Sequence, residues 1–268
     1  MSGAAQRGIL CLWPHDWLFV GHQGANRTHR HVAASLLCGL EAPLQLEVQG
    51  AWRSTRLALV APDVPQALDP GNGLILIAHF DPVTAAWREL AGHLAGADGA
   101  ARASVDLPFD PEWLGVARAL LDTPAVAMAD TLRARLLTRL ACPAPPLDAR
   151  IMHIATLLRE QLPDKLDVAS LAAEIGLSAS RLTHLFRDQT GVTLRRFLLH
   201  LKTLQLFRHW REGMTVSALA AASGFYDQPH LVRTTRDMFD ALPSHYMTGG
   251  FSVLDCSCLL YTSPSPRD

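Results

Sequence analysis

His29 and His31, separated by one arginine, have the spacing of paired ligands on a strand. Alternate strand positions share a face, so both imidazoles could reach one metal ion or one bound molecule. Two ligands make a poor site. These histidines are therefore expected to line an effector pocket, and no metal or other cofactor is expected. His22, His79 and His93 read as satisfied or exposed histidines. No nucleophile, base and orienting group fall into a motif, and no glycine-rich loop has phosphate-cradling spacing, so the residues do not suggest an enzyme. The five cysteines, Cys11, Cys38, Cys142, Cys256 and Cys258, are odd in number and scattered, which is not a disulfide framework. Cys38 reads as a packed apolar residue.

The C-terminal half offers a different chemistry, the reading of base edges. On a helix beginning at Ser178, Leu182, Leu185 and Phe186 form one face. Ser180, Thr183, His184 and Arg187 form another, at i, i+3, i+4 and i+7. Short donors with His and Arg suit bases and phosphates in a major groove. On a second helix from Asp227, Leu231, Met238 and Phe239 are apolar, while Pro229, Val232, Arg233 and Arg236 lie opposite. Arg233 could pair bidentately with guanine, and Arg236 could meet phosphate.

Something must hold these faces, and an internal repeat supplies it. Val168-Ala-Ser-Leu-Ala-Ala-Glu-Ile-Gly-Leu177 recurs as Val216-Ser-Ala-Leu-Ala-Ala-Ala-Ser-Gly-Phe225. Each copy supplies small alanines for a close helix crossing, a glycine for a left-handed turn and an apolar plug. Ser178 and Asp227 then cap the following helices. Each copy is expected to be a helix-turn-helix unit. Thr193–Trp210 reads as one long helix between them, apolar at Leu194, Phe197, Leu198, Leu201, Leu204 and Phe207. A helix so broadly apolar should be wedged between the two units. It would hold their readers about 34 Å apart, one turn of DNA.

At these residues the chain resembles the AraC/XylS family of bacterial transcription regulators. The matching positions are Leu171-Ala172-Ala173, Gly176-Leu177-Ser178, Leu185-Phe186-Arg187, Thr190-Gly191, Gly224-Phe225, Asp227-Gln228, His230-Leu231, Arg233 and Pro243-Ser-His-Tyr246, within residues 148–247. The resemblance implies a DNA operator as partner, with RNA polymerase, a small-molecule effector and a second copy of the chain as further candidates. By matched position, Ser180, Arg181, Thr183 and His184 would face bases in the first unit. Gln228, Pro229, Val232 and Arg233 would do so in the second. Arg187, Arg195, Arg196 and Arg236 would contact phosphate. Two positions depart from the family pattern: Thr235 replaces a usual aromatic, and Asp240 a usual glycine.

The fold class expected is α+β: an N-terminal cupin-like β-barrel with following helices over 1–141, a proline-rich linker over 142–147, and an all-α domain of two helix-turn-helix units over 148–250. Strands are predicted at Trp17–Val20, Ser35–Leu40, Leu44–Val48, Leu57–Val60 and Leu74–Phe80, and helices at Val83–Leu94, Glu112–Leu121 and Ala127–Leu140. The Cys142-Pro-Ala-Pro-Pro-Leu147 stretch, which no helix can cross, is expected to separate two cores. Residues 251–268 are left outside both domains, and Cys258–Asp268 reads as the translation of a sequencing adaptor. At 268 residues, 49% hydrophobic and 18% charged, the chain can bury a sizeable core, which excludes wholesale disorder. Its formal net charge of -1 gives no general attraction to a polyanion, so DNA affinity would have to come from local arginine clusters. No membrane span and no leader are read in it, which makes a cytoplasmic regulator the expectation. The rival is a cupin-type metalloenzyme whose helical half is a degenerate interaction module.

Overall fold

The computed structural model describes residues 8–94, 102–211, 213–240 and 251–257. The strands are β1 Gly8–Leu12, β2 Asp16–Gly21, β3 His29–Arg30, β4 Ala34–Gly39, β5 Leu44–Val48, β6 Ala51–Thr55, β7 Leu57–Val60, β8 Pro65–Asp69, β9 Ile75–Phe80, β10 Ala103–Ser104 and β11 Phe251–Asp255. They form a seven-stranded sheet in the order β10-β7-β4-β9-β2-β1-β11 and a four-stranded sheet in the order β3-β8-β5-β6. All neighbours are antiparallel except β1 and β11, which run parallel with Cys11 opposite Leu254.

Strands β4, β7 and β9 are nearly continuous apolar runs because both of their faces are covered. On one face Leu37, Ala58 and Ile77 meet Leu44, Leu46 and Leu68 of the small sheet. On the other, Leu36, Leu59 and Leu76 share a core with helices α1 Ala85–Leu90, α2 Glu112–Asp122 and α3 Val126–Arg139, through Trp87, Trp113 and Leu132. Strand β5 has one face to water and alternates, whereas edge strand β6 is exposed at four of its five residues. Asp110 accepts a bond from the Glu112 amide at 3.0 Å, so it serves the start of α2 as its sequence suggests.

The helical half comprises α4 Ala149–Gln161, α5 Val168–Glu174, α6 Ala179–Thr190, α7 Leu194–His209, α8 Val216–Ala222 and α9 Gln228–Phe239. The side chains of Asp148, Asp167, Ser178, Thr193, Thr215 and Asp227 each accept an amide N–H at the start of one of these helices. Each such cap typically contributes about 1 kcal/mol. Residues 241–250, which include Pro243–Tyr246, and residues 258–268, the adaptor-like string, lie outside the described residues.

The expectation that the proline-rich stretch separates two cores is corrected. Cys142 and Ala144 donate to the carbonyls of Glu89 and Arg88, at 2.7 and 2.8 Å, and Gly92 donates to Cys142 at 2.8 Å. The stretch is thus laid along α1 instead of spanning open solvent. Leu10 and Leu12 of β1 share a cluster with Leu206 and Phe207 of α7, Leu219 of α8 and Leu231 of α9. Val32 and Val83 join the cluster around α4, α6 and α7. Helix α7 is therefore wedged against the sheet as well as between the two helix pairs. The chain also returns to the large sheet at β11, where the sequence reading left residues 251–257 unassigned.

A shared core predicts shared melting. Leu206→Asp would bury an unpaired carboxylate against Leu10 and Leu12, at a cost of several kcal/mol. Calorimetry should show one transition moved to lower temperature. An N-terminal transition left at its original temperature would mean that the two halves fold independently.

Candidate nucleic-acid interface and a buried chamber

The two copies of the sequence repeat build the same local structure. Leu177 donates to the Ala172 carbonyl at 2.9 Å, and at the equivalent place Phe225 donates to Ala220 at 2.9 Å. Gly176 and Gly224 hold φ of +66° and +72°, which L side chains rarely adopt. Ala172 and Ala220 are buried at the crossings, and Phe225 plugs the second turn. The second turn is one residue longer. The extra residue is Tyr226, 92% exposed beside the N-terminus of α9, and sequence reasoning passed over it.

On α6, Leu182 and Phe186 are buried and Leu185 is half-buried, while Ser180, Arg181, Thr183, His184 and Arg187 are all exposed. On α9, Leu231 and Met238 face inward. Gln228, Pro229, Arg233 and Arg236 are exposed, with Val232 half-buried. Two of the outward polar groups have internal partners: Thr183 Oγ1 donates to the Ala179 carbonyl at 2.8 Å, and Gln228 Oε1 accepts from Ser217 at 2.8 Å. Arg195 is exposed.

Arg196 differs from its expected phosphate contact. Its Nε pairs with Asp63 at 2.8 Å, Nη1 with Asp237 at 2.8 Å, and Nη2 donates to the Arg30 carbonyl at 3.1 Å. All three nitrogens are engaged in tying the N-terminal half to α7 and α9. The two family departures also find local explanations. Thr235 is buried, and its hydroxyl donates to the Val232 carbonyl at 3.2 Å. Asp240 ends α9 at φ +51°, where glycine would be less strained, and its carboxylate binds Arg27. The Arg27 amide, Nε and Nη2 reach it at 2.7, 3.0 and 2.7 Å. A glycine could not make this tie between α9 and the N-terminal half.

A third tie is buried. Asp81, at the end of β9, pairs with Arg159 of α4 at 2.9 Å and faces His200 of α7 at 3.6 Å. Burial alone would raise its carboxyl, but the neighbouring His200 and the Arg159 charge outweigh that and bring it to about 2. His15 stands nearby, pushed down to about 4 by burial and by Arg159.

Between the sheets and the helices lies a chamber of about 470 Å³. Its polar end holds His29, His31, His79 and Gln66, and its apolar walls include Trp17 from β2 and Phe239 from α9. The expected pair, His29 and His31, are together there, with ring nitrogens 2.7 Å apart. His29 Nδ1 lies 2.8 Å from the Arg27 carbonyl, which can only accept, so His29 carries its proton on Nδ1. His29 Nε2 is then an acceptor, and His31 must donate to it from Nε2. A second proton on His29 would face that donor. Burial and the neighbouring imidazoles push His31 and His79 well down, and burial lowers His29. His79, set aside as unremarkable in the sequence, stacks on Trp17 at 4.1 Å between centroids and stands edge-on to His31 at 4.1 Å. Its signal was a polar residue inside the otherwise apolar run Leu74–Phe80. Among the described residues, no group of three or more His, Cys, Asp and Glu side chains could hold a metal ion.

Comparison with known proteins bears on this arrangement. A helix-turn-helix domain family model matches residues 171–249, which contain both repeat copies from Leu171 onward. The arabinose operon regulatory protein of Salmonella typhimurium is 31% identical over 109 residues, covering 39% of this chain and 38% of that protein. The transcriptional activator RhaS of Citrobacter koseri is 30% identical over 142 residues, half of each chain. Over its C-terminal part the chain is similar to regulators of the AraC type. It spans half or less of the length of these curated relatives. The fold is matched along most of the chain by ToxT of Vibrio cholerae O395. The TM-score is 0.59 at 10% identity, over 87% of this chain and 97% of that one. A ToxT structure with a bound unsaturated fatty acid gives 0.57 at 12% identity, over 87% and 95%.

The histidine cluster predicts acid sensitivity. An imidazole with a depressed folded pKa stays neutral in the native state while the unfolded chain takes up protons below about 6.5. Stability from His15, His29, His31 and His79 is complete above that value and falls as the pH drops toward 4. The urea midpoint should decline from neutral pH downward, and less steeply in a His31→Gln, His79→Gln variant. A midpoint flat down to the carboxylate range would contradict the neutral assignment.

Proposed function

We propose that this AraC-family chain is a sequence-specific DNA-binding transcription regulator controlled by a small molecule held in the chamber. The observation that carries the reading is the pair of exposed polar faces, on α6 and α9, at equivalent ends of a repeated helix pair and joined by the buried helix α7. In this reading residues 148–250 are the double helix-turn-helix reader and α7 fixes the separation of its recognition helices. Residues 1–141 are a cupin-type sensor that also brings two copies together. Ser180, Arg181, Thr183 and His184 read bases from α6, and Gln228, Pro229, Val232 and Arg233 read them from α9. Arg187, Arg195 and Arg236 hold phosphates. Val232 and Pro229 suit thymine methyl groups more than hydrogen-bonding edges.

The chamber's position gives the effector its leverage. Phe207 of α7 and Phe239 and Asp240 of α9 line it, so an occupant touches the second reader's C-terminal end directly. RhaS is named an activator, and RNA polymerase is the partner that name suggests for this chain. A cytoplasmic location follows from the role, and among the described residues no helix is long and apolar enough to cross a membrane. The metalloenzyme reading is disfavoured because His29 and His31 bond to one another instead of converging on a free point.

Arg233→Ala should weaken operator binding by about 1–3 kcal/mol and erase preference at one base position, read by selection from random DNA. Arg187→Ala should weaken all sequences alike and lower the salt slope of binding by about one. If α7 sets the spacing, footprinting should find two contact blocks about 10 base pairs apart on one DNA face. A single short block would overturn the two-reader arrangement.

A further inference from the structure

The chamber's polar end contains two buried atoms with no hydrogen-bond partner, His79 Nε2 and Gln66 Oε1. Buried polar atoms are nearly always paired, so two without partners in residues that line one chamber point to a missing group. Their positions are fixed. Gln66 Nε2 donates to Ser35 Oγ at 2.8 Å, and Ser35 is register-paired with His79 across β4 and β9. His79 is held on its two sides by Trp17 and His31.

The electrostatics restrict what can fill the space. Among the described residues no lysine or arginine lines the chamber. Asp240, the one lining carboxylate among the described residues, is already neutralised by Arg27. The His29–His31 hydrogen bond leaves no place for a further proton between the two rings. A carboxylate or phosphate at the polar end would meet no lysine or arginine among the described lining residues, which is unfavourable where it loses water.

Aromatic side chains line much of the rest, beside aliphatic ones such as Leu37 and Ile77. Trp17, Phe207 and Phe239 pack mutually with centroids 5.8 to 6.3 Å apart, and Phe19 meets Phe251 edge-on at 6.4 Å. A flat ring would add further edge and offset contacts. The volume lies within the about 300–1,000 Å³ usual for small-molecule sites. A hydroxyl is the smallest neutral group that donates and accepts at one atom, so it can answer an amide oxygen and an imidazole nitrogen together.

Building on the effector reading, we infer that the chamber takes an uncharged aromatic alcohol or phenol, its hydroxyl on Gln66 and His79, and excludes carboxylates. The chemistry differs from that of the fatty acid held by ToxT.

Isothermal titration of the full chain at neutral pH with 2-naphthol, naphthalene and 2-naphthoate tests this. 2-Naphthol should bind at least about tenfold more tightly than either of the others. Gln66→Leu should bring naphthol down to the affinity of naphthalene without weakening naphthalene itself. Naphthoate binding as tightly as naphthol, equal affinities for naphthol and naphthalene, or no binding of any of the three would overturn the inference. The unmodified chain decides among these even if the variant fails to fold. A mobility-shift assay separates the two readings. A chain that prefers naphthol but binds no DNA refutes the regulator, whereas one that binds DNA but ignores naphthol refutes the ligand class alone.

Discussion

Helix α7 has almost no face that can be left in water, and the rest of the molecule is arranged around that constraint. Ten of its sixteen residues are buried, including His200, Lys202 and Thr203. A helix apolar around most of its circumference must be enclosed. The α5–α6 pair covers one side, the α8–α9 pair another, and strand β1 a third. The buried polar residues are each given something to do. His200 faces Asp81, and the Thr203 hydroxyl donates to the Leu199 carbonyl at 2.8 Å. The Lys202 stem runs beside Gly224, and its ammonium reaches the Asp164 carbonyl at 3.4 Å. One side chain thus touches the second turn and the segment that leads into the first helix pair.

Three sets of ion pairs then fix how the sheet half sits on that helix. Asp81 with Arg159 and His200 is buried, so breaking one partner would strand a charge. Arg196 with Asp63 and Asp237 is half-buried, and Arg27 with Asp240 is largely open on the arginine side. Exposed pairs contribute little stability but still select orientation. The buried clamp holds α4 and α7, whereas the two more accessible ones hold α9. The element nearest the chamber is tied by the contacts that are easiest to release.

Much of this was legible in the sequence, and the failures have physical causes. The repeat, its glycines and its caps are local signals, and Gly176, Gly224, Ser178 and Asp227 occupy the conformations their types suggest. Strands β5 and β7 were placed to the residue because their patterns are unambiguous. Strand β6, with four exposed residues, and β8, which begins at a proline, carry no comparable periodicity. Strand β11 depends on a partner more than two hundred residues away, so no local pattern announces it. The chamber was half visible. His29 and His31 share a face and meet, but His79 joins them only through sheet register, and Phe207 and Phe239 were read simply as core. Arg196 was misplaced because a positive charge beside a reading helix looks the same whether its partner is DNA or the protein's own aspartates. Thr235 and Asp240 looked like losses in sequence and find partners only once the two halves are docked.

The return of the chain to the large sheet gives the helical half two attachments. It leaves that half's neighbour after α3 and comes back at β11, beside the strand that carries Leu10 and Leu12. Topologically, the reading domain is a long excursion between two strands of one sheet. Neither end of that excursion is loose. A pull on either one is carried into the same sheet, and at its far end the chain cannot come away without edge strand β11 leaving β1.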